Sequence, residues 1–71
     1  MNRRFNGIYQ IAKKRYSLYY CVSCKEDNCV MRIFREGKLV ILVSEDDLER
    51  MYEVAADRLK SYVIINEKGH A

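Results

Sequence analysis

The chain has no proline, a single histidine and three glycines in 71 residues. With no proline and no low-complexity tract, nothing marks a linker, and the sequence reads as one small domain over residues 1–71, with 1–6 and 67–71 expected as loose tails. No run of about 18 apolar residues is present to cross a membrane, and "MNRRFNGIYQ" lacks the apolar segment of a secretory signal. A cytoplasmic protein with no membrane partner is expected. There is no glycine-rich phosphate loop, and His70 has no recognisable nucleophile to serve, so neither an enzyme nor a cofactor is expected.

Half of the chain, 49%, is apolar, yet a domain this small buries only about 60% of the surface that its unfolded form exposes. Its marginal stability leads to the expectation of a homo-oligomer. The net charge of +3 conceals an asymmetry: residues 1–38 carry nine Lys/Arg against three acids, and residues 39–71 carry four against seven. A basic half of this kind attracts nucleic acid or an acidic protein surface, less strongly wherever the acidic half folds back over it.

Two polar interruptions punctuate runs of β-branched and aromatic residues: Lys25 to Asn28 in "CKEDNC" and Glu36-Gly37 in "REGK". They divide three strands, about 16–24, 29–35 and 39–43, into an antiparallel meander. "SEDDLERMYEVAADRLKSY" follows as an amphipathic helix over about 45–61, with Ser44 as N-cap and acids in its first turn. Its stripe of Leu48, Met51, Tyr52, Ala55, Leu59 and Tyr62 should lie on the sheet. "YVII" at 62–65 reads as a fourth strand or a last helical turn, and Ile8 to Ala12 as an optional first strand. The expected fold is therefore α+β, in the order (β)βββα(β), with one helix on one face of a three- or four-stranded antiparallel sheet.

Pairing Cys24 with Cys29 across the first turn sends Leu18, Tyr20, Val22, Met31 and Ile33 to the helix side. The reverse face then holds Tyr19, Cys21, Val30, Arg32 and Phe34, joined by Leu39, Ile41 and Val43 from the third strand. A solvated face should alternate with polar residues, and this one does not. Tyr19, Arg32, Phe34, Leu39 and Ile41 are accordingly the candidate protein interface.

Cys21, Cys24 and Cys29 begin like a zinc knuckle that His70 could complete. Strand alternation, however, sends the sulfurs of Cys21 and Cys24 to opposite faces, so buried thiols serving as small hydrophobes are the preferred reading, with a Cys24–Cys29 disulfide geometrically possible. The stretch "NRRFNGIYQIAKKRY" interleaves Arg3, Arg4, Lys13, Lys14 and Arg15 with Phe5, Tyr9 and Tyr16, a combination that neutralises phosphates and stacks on bases. The leading expectation is a regulatory, non-catalytic binding protein that contacts nucleic acid, or a complex containing it, through Arg3, Arg4, Tyr9, Lys13, Lys14, Arg15 and Tyr16. The alternative is a protein-interaction module or inhibitor, of the kind a virus or mobile element encodes, acting through the apolar sheet face. A zinc-stapled domain is the third.

Overall fold

The computed structural model describes residues 2–69, in the order α1 (Arg3–Tyr16), β1 (Leu18–Lys25), β2 (Asn28–Arg35), β3 (Lys38–Glu45) and α2 (Leu48–Lys68). The α+β class and the antiparallel three-stranded sheet, ordered β1-β2-β3, agree with the sequence reading. The order of elements around the sheet does not. Residues 8–12 lie within a helix, and 62–65 continue α2 rather than adding a strand.

The N-terminal helix follows from a cap and a stripe. Asn2 takes an extended conformation and its Oδ1 accepts the Phe5 N–H at 2.9 Å, while Phe5, Tyr9, Ala12 and Tyr16 recur at helical spacing and are buried. The segment 2–6, expected to be a loose tail, is thus an ordered helix start. Phe5 is fully buried, with Tyr9 stacked at 5.7 Å and Tyr20 and Tyr52 edge-on at 5.1 and 5.3 Å. One aromatic ring thereby joins α1, β1 and α2. Ser17 then ends the helix in the left-handed region at φ 53°, and the Tyr9 hydroxyl donates to the Leu18 carbonyl at 3.2 Å as the chain enters β1.

The second helix starts later and runs further than its sequence implied. Ser44 and Glu45 pair with Val30 and Cys29 as the end of β3, so the cap falls to Asp47, whose Oδ2 accepts the Arg50 N–H at 2.9 Å. Leu48, expected in the buried stripe, is exposed in the first turn, and Ala56 is buried with Met51, Ala55 and Leu59. At the far end Arg35 donates to the Tyr62 hydroxyl at 3.0 Å and to Asn66 Oδ1 at 3.3 Å, with its guanidinium 4.8 Å from the centre of the Tyr16 ring. These contacts, and the packing of Val63 on the core, outweigh the tenths of a kcal/mol by which β-branched residues disfavour a helix.

Both helices lie on one face of the sheet and run parallel. Asn2 donates to Glu49 Oε1 at 2.9 Å near their starts, and Arg15 bridges to Glu67 near their ends. With principal extents of 43 × 24 × 16 Å, the molecule is two layers thick.

The two hairpins differ in what they do to side-chain alternation. β1 and β2 pair without interruption, Cys24 opposite Cys29, through a two-residue turn at Glu26-Asp27. β2 and β3 pair through Glu36-Gly37, both at positive φ, but a bulge intervenes: Phe34 faces Leu39 while Ile33 faces Ile41, which leaves Val40 as the extra residue. The bulge reverses the inward phase of β3. Ile41, expected on the reverse face, is 5% exposed in the core, and Val43 is buried beside it.

Candidate binding face of the sheet

Among the described residues, nothing covers the side of the sheet away from the helices. On β1 and β2, Tyr19 and Phe34 are cross-strand partners whose rings stack with centroids 5.0 Å apart and planes within 16°. Leu39 stands opposite Phe34 on β3, and Leu42 stands opposite Arg32. Tyr19, Leu39 and Leu42 are 52%, 49% and 47% exposed, and the bulged Val40 adds to the same rim. Neither the N-terminal segment nor 62–65 reaches this face, because α1 packs on β1 from the other side and 62–65 belong to α2. Of the predicted interface, Tyr19, Arg32, Phe34 and Leu39 are brought together. Leu42 takes the position foreseen for Ile41.

Polarity changes along the strands. Toward the β1–β2 turn, Ser23, Lys25, Asn28, Val30 and Arg32 line a shallow cleft of about 200 Å³. Asn28 is held there by the Ser44 hydroxyl, which donates to its Oδ1 at 2.9 Å. Two cations line this cleft without a carboxylate, and neither forms an ion pair among the described residues. The face therefore has an aromatic and aliphatic end and a cationic end.

The predicted nucleic-acid set is divided by the fold. Tyr9 and Tyr16 are both 8% exposed, facing the core, so neither ring is presented for stacking on a base. Burial, with a smaller contribution from Tyr20, raises the Tyr9 pKa above 10.0. Arg4 pairs with Asp57 and Arg15 with Glu67, which closes basic α1 against acidic α2. Arg3, Lys13 and Lys14 remain exposed, with no ion pair among the described residues. The Lys13-Lys14-Arg15 run also occupies the last turn of α1, where the helix dipole favours positive charge.

The cysteines do not converge on one point. Cys21 is exposed on the open face, across from Arg32, while Cys24 and Cys29 pair on the helix side at the sheet's end. Cys24 and Cys29 are free thiols, and the facing Cys24 thiol, followed by burial, pushes the Cys29 pKa up to about 11. His70 lies outside the described residues, and among those residues no group of three or more His, Cys, Asp or Glu is arranged to hold a metal. No described helix is long and apolar enough to cross a membrane.

Sequence reasoning missed the contributions of Val40 and Leu42, because no residue type in "KLVILVSE" signals a bulge. It also missed a second apolar groove of about 180 Å³ between the helices, lined by Ile8, Ile11, Lys60, Val63 and Ile64. Had α1 been read as a helix, the i to i+3 spacing of Ile8 and Ile11 would have exposed that groove. Compared with family models, curated proteins and solved structures, the chain matches none.

Proposed function

We propose that the protein is a non-catalytic binding module that docks another protein on the open face of its sheet, and regulates or inhibits that protein by covering it. The observation that carries this reading is the contiguity of Tyr19, Phe34, Leu39 and Leu42 on a sheet side with no helix over it. Contiguous apolar surface of this kind marks interaction sites, and paired aromatics are favoured anchors within them. The test is recovery of the partner with tagged protein from the cell that produces it. Leu42→Glu should abolish recovery while leaving the circular dichroism spectrum and melting temperature unchanged; undiminished recovery would refute the reading.

A second reading, nucleic-acid binding through α1, is favoured by Arg3, Lys13 and Lys14, which remain exposed on one helix. It requires salt-dependent binding of an oligonucleotide that weakens, whatever its sequence, in a Lys13→Gln/Lys14→Gln double variant.

A further inference from the structure

Resting on the docking role of the open face, we infer that its occupant is a different protein, one presenting an Asp or Glu side chain among large apolar residues, and not a second copy of this chain. Arg32 sits on the central strand, with Cys21 and Leu42 opposite it on the two flanking strands and Phe34 two residues along its own. It is exposed, and among the described residues it has no ion pair. Any partner that covers Phe34 and Leu42 together must also cover Arg32.

Self-association by twofold symmetry sets the same patch against itself. An axis that buries both Phe34 and Leu42 passes close to Arg32, since residues two apart on a strand are separated by only about 7 Å. It would bring two guanidinium groups into one layer roughly 10 Å thick with no carboxylate between them. The nearest acid along β2 is Glu36, beyond the strand's end and roughly 13 Å away at strand spacing. The remaining hairpin acids are Glu26 and Asp27, at the opposite turn, and Glu45, which ends β3 opposite Cys29 on the helix side and pairs with Arg50. A head-to-tail arrangement that brought the acidic flank of α2 to Arg32 would build a ring or a filament, which sedimentation registers as a higher oligomer or a polymer.

The cleft defines where the partner's charge belongs. Lys25 and Arg32 flank it, Ser23 and Asn28 supply polar groups, and Val30 contributes apolar surface. A side-chain carboxylate placed there leaves the neighbouring apolar groups of the partner above Phe34, Leu39 and Leu42. Nucleic acid fits less well. Two cations are few for a row of phosphates, and Tyr19 and Phe34 already stack on each other beside Leu39 and Leu42, which offer a base no flat ring.

The experiment selects a displayed random 16-residue peptide library on the full chain, with Arg32→Glu and Leu42→Glu as parallel baits and circular dichroism confirming that each is folded. Wild type should enrich peptides with an Asp or Glu flanked by Leu, Ile or Phe, and Arg32→Glu should enrich Lys or Arg at that position instead. A synthesised wild-type winner should bind Arg32→Glu about 10- to 100-fold more weakly. Peptides without acid enrichment, or equal binding to both baits, would overturn the charge assignment while leaving the face in place. Winners that still bind Leu42→Glu would instead overturn the face. Sedimentation should give a monomer for wild type and a dimer for Arg32→Leu. A wild-type dimer or polymer dispersed by Leu42→Glu, or a fluorescent oligo(dU) 12-mer released by Arg32→Glu, would also contradict the inference.

Discussion

Tyr19 and Phe34 stack across β1 and β2 at 5.0 Å on the side of the sheet that neither helix touches. A stacked pair in that position fixes both rings before any partner arrives, so little side-chain freedom remains to be lost on binding. The same two residues would form an ordinary core contact if the sheet carried a second helical layer. Among the described residues no second layer is present, and under the proposed docking role the pair would anchor the exposed face.

The bulge at Val40 makes adjacent residues behave oppositely. Ile41→Ala should destabilise by about 2–5 kcal/mol as a core truncation, whereas Leu42→Ala should stay within about 0.5 kcal/mol and impair only binding. Urea denaturation of the two variants measures the difference. A larger loss for Leu42→Ala than for Ile41→Ala would mean that β3 keeps uninterrupted alternation, and equal losses would contradict the inward Ile41.

Asn2 serves both helices, accepting from Phe5 N–H and donating to Glu49. Asn2→Ala should cost about 1 kcal/mol as a lost cap, and hydrogen exchange should accelerate first at the start of α1. Unchanged exchange there would remove the cap from the account.

Ser17 and Glu26 occupy the left-handed region at φ 53° and 44°. Glycine adopts that region without the Cβ clash, so Ser17→Gly and Glu26→Gly should each stabilise by of order 1 kcal/mol. A fall in melting temperature for both would count against these turn conformations.

Alkaline pH should weaken the fold in a defined window. The Cys29 thiol is raised from 9.0 to about 11, first by its hydrogen bond with Cys24 and then by burial, so the folded state holds this proton more tightly than the unfolded one. Its contribution is complete below pH 9 and is lost as pH rises through about 11. Tyr9 and Tyr52, raised above 10.0 chiefly by burial, extend the loss to higher pH. Cys29→Ala should flatten the start of the decline in urea midpoint. At pH 8, iodoacetamide should modify the exposed Cys21 and Cys24 well before Cys29; modification of all three at one rate would contradict the buried thiol.

Legibility in the sequence followed the locality of the signals. The β1–β2 register was readable because Cys24 and Cys29 bracket a short polar turn, and alternation from them places Tyr19 and Phe34 on one face. The phase of β3 was not, since a bulge within a run of Leu, Val and Ile leaves no compositional mark. In α1 the spacing of Phe5, Tyr9, Ala12 and Tyr16 was present, but the β-branched Ile8 and Ile11 with a glycine at position 7 obscured it. The continuation of α2 through "YVII" depends on Arg35, Tyr16 and Asn66, contacts distant in sequence that override local propensity. Burial of Tyr9 and Tyr16 moved the candidate site from the basic helix to the sheet.

Site-specific photocrosslinking in the producing cell tests the docking face most directly, with a benzophenone side chain placed singly at Leu42 on the open face and at Lys14 on α1. Protein adducts should form from position 42 and disappear when Phe34→Asp is added, while position 14 should give none. Adducts confined to position 14, or nucleic acid as the captured species, would contradict the account.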